Sequence, residues 1–202
     1  MEQQAKNLGG RPRRFDRNTA VEIAMRLFWR NGYEGVSVAD LTDAIGIAPP
    51  SLYAAFGSKA ELYRETLRHY AEKSNSFDIS VFDRAPGLSL AISEMLHKAV
   101  LSVTDSEGEK GCMIASGMVV ANPQNVDLQK EIAERRSEFR NVLQEKMAFW
   151  VGEQEALRLS RYLTAVMQGI SIQAHDGATA GELQMIVDEV LKGLSFQQPD
   201  NE

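Results

Sequence analysis

SVADLTDAIGIAPPSLYAAFGSK, residues 37–59, is the stretch whose reading decides the fold. Ser37-x-x-Asp40 is a helix-start signal, because a hydroxyl and a carboxylate at this spacing satisfy backbone amides left open in a first turn. Val38, Leu41 and Ile45 then recur at helical spacing and form one buried stripe. Gly46 falls where the chain must leave that helix with positive φ. Ile47 plugs the angle before a second helix, whose own stripe is Leu52 and Phe56. Ser51, Tyr53, Ala54 and Ala55 are left facing away from that core. Two short helices at a steep angle, the second with a small-residue outer face, predict a helix-turn-helix, whose second helix enters the DNA major groove.

Working outward, residues 16–33 read as a scaffold helix capped by Asp16 and stopped by Asn31-Gly32, with Val21, Ala24, Leu27 and Phe28 on one face. Ser58-x-x-Glu61 opens a fourth helix to about Lys73, striped by Leu62, Tyr63, Leu67 and Tyr70. Residues 74–86 lose periodicity and read as a connection, and 105–111 as a polar loop. Helices are predicted over 90–103, 112–121, 125–151 and 153–175, and behind the Thr179-x-x-Glu182 cap. The 112–121 helix is expected to be buried, being almost wholly apolar and stopped by Asn122-Pro123. The fold class is all-α, with about nine helices.

The net charge of −6 argues at first against a nucleic-acid partner, but its distribution reverses that. Residues 1–73 carry 11 Lys/Arg and 9 Asp/Glu, whereas 74–202 carry 11 and 19. The acidic excess lies wholly in the second part, where it repels DNA and helps orient the first part toward it. Residues 1–15 contain GGRPRR, and an extended arm with Arg11, Arg13 and Arg14 suits a narrow minor groove; the plainer reading is a solvated tail. No 18-residue apolar run exists, the start MEQQAKN is no signal peptide, and the single cysteine forms no internal disulfide. A cytoplasmic location without membrane contact is expected.

GIAPPSLYAAFGSKAEL, residues 46–62, resembles the signature of the TetR family of bacterial transcription regulators. The resemblance covers the first third of the chain closely, and the length and helical pattern of the rest also fit. It implies three parts: a flexible basic arm (1–15), a three-helix helix-turn-helix DNA-binding domain (16–73), and a larger helical ligand-sensing and dimerisation domain (74–202). It implies a homodimer on palindromic double-stranded DNA, acting as a repressor released by a small-molecule or redox signal. Ser37, Tyr53 and Lys59 should then meet phosphates, Ser51 a base edge, and Ala48 and Ala54 a thymine methyl. Pro49 and Pro50 depart from the family pattern, removing two amides and a cation, and Ala39 stands where an Arg often reads a base. Direct readout should therefore be modest. The different-class alternative is a helical-bundle enzyme or small-molecule carrier that keeps the module for another partner.

The predicted helix 153–175 is apolar on two faces and so needs two packing partners. Tyr162, Ala165, Val166, Gly169 and Ile170, with Ile186 and Val190 of the last helix, are the candidate dimer interface; the alternative is a larger monomeric bundle. Met95, Met113, Met118, Phe139, Met147 and Trp150 are candidate pocket walls, although such residues also serve as plain core. Cys112 follows Lys110 at an expected helix start, a setting that lowers a thiol pKa, with His175 as a candidate proton acceptor; a buried small hydrophobe is the alternative. Glu94-x-x-His97 is half of a di-iron pattern with no second pair, so no metal and no cofactor is expected. No phosphate loop, nucleophile elbow or dinucleotide fingerprint is present, so no catalytic residue is assigned and no enzyme is expected.

Overall fold

The computed structural model describes residues 15–73, 79–105 and 108–194. Among these, all regular structure is helical: α1 (Arg17–Asn31), α2 (Val38–Ile45), α3 (Pro49–Phe56), α4 (Lys59–Lys73), α5 (Val81–Arg84), α6 (Leu88–Val103), α7 (Val126–Val151), α8 (Glu153–His175) and α9 (Ala180–Gly193), with a 3₁₀ turn at Pro123–Asn125.

The helix starts follow from local chemistry. Thr19 N–H donates to Asp16 Oδ1 at 2.7 Å and fixes the start of α1. Reciprocal capping boxes form at Ser37–Asp40 and Thr179–Glu182. Gly46 turns the chain at φ 77°, ψ 35°, a left-handed conformation that glycine adopts without steric cost. Helices α1 and α4 pack side by side over α2 and α3, and Phe28, Tyr33 and Tyr63 form an aromatic cluster with Phe28–Tyr63 and Tyr33–Tyr63 centroids 5.0 Å apart. In the second part α7 lies along α8, and α6 sits between α8 and α9. Polar ties cross between the parts. Arg64 of α4 makes a bidentate pair with Glu131 of α7 at 2.6 and 2.7 Å. Arg30 holds Glu109, and Glu34 accepts from Asn122 N–H and Asn125 Nδ2 at 2.9 Å.

Two segments differ from the sequence expectation. The 74–86 connection contains a short helix, α5, which buries Val81 and Phe82. The expected helix over 112–121 is instead a chain of turns and bends. Its apolarity reports burial rather than helical periodicity: Cys112, Met113, Ile114 and Met118 are buried in a coil that lies on α8. Gly111, at φ +81°, brings the backbone so close that a Cβ there would sit 2.8 Å from Ser171 O. Met118 also has positive φ, 47°, which a helix cannot contain.

Candidate functional site

Helix α3 seats Leu52 and Phe56 in the core and leaves Pro49, Pro50, Ser51, Tyr53 and Ala54 exposed. Ala48, its N-cap, is exposed as well, whereas Ala55 is half-buried against the core rather than pointing outward. Tyr53 is 48% exposed, so its phenol is open to a partner. Pro49 and Pro50 occupy the first turn, where their missing amides break no helical bond. Lys59 stands at the start of α4 with its ammonium 4.1 Å from the Tyr33 ring centroid, and partial burial lowers its pKa against the pull of Glu34 and Asp40. Ser37 is already engaged: its N–H and hydroxyl both donate to Asp40 Oδ2 at 2.7 Å, and these bonds hold the Asp40 carboxyl below its ordinary range. For Ser37 itself to donate to a phosphate, that carboxylate must give way. Arg11, Arg13 and Arg14 lie outside the described residues. Phe15, counted with the arm in sequence, packs on Phe56 with centroids 6.2 Å apart.

The expected pocket walls divide between different places. Met95 and Met147 are core residues that line none of the cavities described below. Trp150 is half-buried and stacks edge-to-face on Phe149. Met113, Met118 and His175 border a cleft of about 300 Å³ between the end of α1, Tyr63 and the end of α8. Trp29 also lines it, with an indole N–H that is buried and has no partner among the described residues. Cys112 and Phe139 line a separate cavity of about 30 Å³ among α6, α7 and α8. There α6 contributes Ala99 and Val103, α7 adds Arg136, and α8 supplies Thr164, Met167 and Gln168.

The lowered thiol pKa expected for Cys112 is overturned. No helix begins there, and burial pushes the thiol up, opposed by hydrogen bonds from Tyr70 and from the Ala115 and Ile114 backbone. His175 is not among the thiol's partners; its Nε2 lies 3.4 Å from Arg30 O. Cys112 N–H donates to Ser171 Oγ at 2.8 Å, tying the turn segment to α8.

Of the candidate interface residues, Tyr162, Val166, Ile186 and Val190 line an open groove between α8 and α9. Ala165 is exposed and Gly169 half-exposed, with open space where a Cβ would stand. Ile170, 1% exposed, belongs to the chain's own core, a correction to its assignment, and Val190, 4% exposed, is also a core residue although it borders the groove. Ile172 and Met185, at 48% and 61% exposure, extend the apolar surface beyond the predicted set.

The sequence profile for bacterial regulatory proteins of the tetR family matches residues 21–66, from within α1 into α4. Over 179 residues the chain is 34% identical to the HTH-type transcriptional repressor BdcR of Escherichia coli (strain K12), covering 86% of each chain. The chain belongs to the TetR family. Similarity to other transcriptional regulators extends over nearly its whole length. The HTH-type transcriptional repressor ComR of the same organism is 28% identical over 194 residues, which is 93% of this chain and 92% of ComR. A cysteine-substituted form of the TetR family transcriptional regulator CifR, complexed with 26-bp double-strand operator DNA, matches with TM-score 0.83 and 34% identity over 91% of this chain and 100% of that one. The chain is thus a transcriptional regulator, as its helix-turn-helix motif implied.

Sequence reasoning missed the polar lining of the TetR-family chain's inner cavity: Arg136, Thr164 and Gln168. One signal was present. Arg136 falls on the same α7 stripe as Ile132, Phe139 and Leu143, where a cation interrupts an apolar face.

Proposed function

We propose that this protein is a homodimeric, ligand-responsive repressor that sets α3 of each subunit into the major groove of a palindromic operator. Residues 16–73 bind DNA, residues 74–202 sense the ligand and dimerise, and residues 1–15 supply arginines to the minor groove. The observation that carries this reading is the outer face of α3, where Ser51, Tyr53 and Ala54 stand exposed around a helix anchored by Leu52 and Phe56. CifR, similar over nearly the whole chain, is complexed with double-strand operator DNA. Tyr53 and Lys59 act on phosphates, and Ser37 joins them only when Asp40 gives way. The open groove of α8 and α9, with Gly169 at its side, supports pairing with a second copy.

Fluorescence anisotropy with duplexes from the DNA flanking the protein's own coding region tests this. Replacing Arg13 and Arg14 together by Ala should weaken binding more than Ser51→Ala, and should lower the magnitude of the log Kd against log salt slope by about 2, one per lost cation. A larger loss from Ser51→Ala, or no duplex affinity at low salt, overturns the reading.

A further inference from the structure

We propose that the cavity among α6, α7 and α8 binds a small aliphatic carboxylate, gripped side-on by Arg136. The proposal rests on the ligand-responsive reading above and names the chemistry of its signal.

Arg136 reaches the cavity from the apolar stripe of α7. Both hydrogens of its Nη1 are used, donated to Ile114 O at 3.1 Å and Gly117 O at 2.7 Å in the turn segment. Its Nε and Nη2 have no hydrogen-bond or ion-pair partner among the described residues, and no acidic side chain lines the cavity. Burial already disfavours the charged guanidinium. The free edge offers two parallel N–H groups, the geometry a carboxylate accepts with both oxygens. Gln168, whose amide also has no partner among the described residues, stands on the same cavity as a further polar group. The remaining lining is largely apolar, from Ala99, Val103, Cys112, Ala115, Phe139 and Met167, and the Thr164 hydroxyl donates to its own helix backbone at Ser160 O, so the ligand's other end is a short hydrocarbon. At about 30 Å³ the space holds one or two waters, and a chain of a few carbons enters as Met167, flexible at three torsions, shifts.

The same arginine couples the site to the DNA-binding helices. The segment it pins hydrogen-bonds Tyr70 of α4 through Cys112, and a Cβ at Gly117 would lie 3.2 Å from the Tyr63 hydroxyl. A carboxylate drawing on the guanidinium loosens those two carbonyls and so shifts the segment's contact with α4.

The test is calorimetric titration of the full chain in a carboxylate-free buffer at constant chloride, with butyrate, butyramide, butanol and inorganic phosphate as probes. Saturable butyrate binding in the micromolar-to-millimolar range usual for ligands of this size is expected, at least about tenfold tighter than butyramide. Arg136→Gln should remove that preference and Arg136→Lys keep part of it. Because Arg136 also holds the turn segment, Val103→Phe serves as a second variant, filling the aliphatic end while leaving the guanidinium in place. It should block butyrate with the helical circular dichroism unchanged. No butyrate binding below about 10 mM, or butyramide, butanol or phosphate binding as tightly, overturns the proposal. Duplex anisotropy on the same preparation separates the two readings. Duplex binding without butyrate binding removes this site alone, and butyrate binding without duplex affinity removes the repressor reading alone.

Discussion

Glu22 shows how one side chain can tie two helices and leave a signature in pH. Its carboxylate, on α1, faces His69 and Lys73 of α4. Partial burial raises its pKa, but the bonds and charges of Lys73 and His69 outweigh that and hold it at about 2, against an ordinary 4.5. A depressed carboxyl pKa favours the folded state above the ordinary value, and that stability fades as pH falls from 4.5 toward 2. With the carboxylate 28% exposed, screening reduces its contribution to about 1 kcal/mol. Glu22→Gln should therefore cost about 1 kcal/mol in urea denaturation at pH 7 and almost nothing at pH 2. Cys112 gives the opposite sign. Its thiol is 3% exposed and its pKa is raised, so reaction with a disulfide reagent needs the turn segment to open. If opening costs about 3 kcal/mol, the native thiol reacts about 100-fold more slowly than the same thiol in guanidinium, and stopped-flow absorbance with an aromatic disulfide checks this. Equal rates would restore the sensor reading that burial argues against.

At the scale of elements, helices were legible wherever their ends carry their own hydrogen-bond partners. Asp16, Ser37-x-x-Asp40 and Thr179-x-x-Glu182 each close a first turn with atoms three residues away, so sequence spacing is enough. The turn segment after Gly111 was not legible, because a short apolar run looks the same in a buried coil as in a buried helix. What decides it is contact with Ser171 of α8, about sixty residues away in sequence. The cavity was hidden for the same reason: Ala99, Arg136 and Gln168 meet only when three helices pack in register. The ties between α4 and α7 also depend on that packing. Arg64 and Glu131 form a two-bond pair across the two parts of the chain, with Arg64 bonded to Glu61 as well. A double-mutant cycle of Arg64→Ala and Glu131→Ala should return a coupling of about 0.5–1 kcal/mol by chemical denaturation, smaller at 1 M salt. A coupling near zero would mean the pair holds geometry without adding stability.

The whole molecule has an uneven charge, with a surplus of cations in residues 1–73 and a surplus of acids in 74–202. Such an arrangement turns the helix-turn-helix end toward a polyanion and the other end away, which orients a single subunit but does not set groove spacing. Spacing requires two recognition helices on one rigid body, and the reading proposed above seats the second copy in the groove of α8 and α9. Ile186 lines that groove half-buried, on the face of α9 that also carries Glu182 and Glu189. In the proposed dimer, Ile186→Glu adds a third carboxylate to this face of each subunit, so like charges are brought together on pairing, while the fully buried Leu183 and Val187 of the same helix are left in place. Sedimentation should then show monomers at micromolar concentration, with circular dichroism unchanged. Losing the second half-site contact removes an effective concentration in the millimolar range, so affinity for a palindromic duplex should fall by about 100-fold or more. Affinity for an isolated half-site should barely move, because one α3 still presents Ser51 and Tyr53 as before. A monomeric variant that keeps full affinity for the palindrome would mean that one recognition helix with its arm carries the binding, and that the groove serves another purpose.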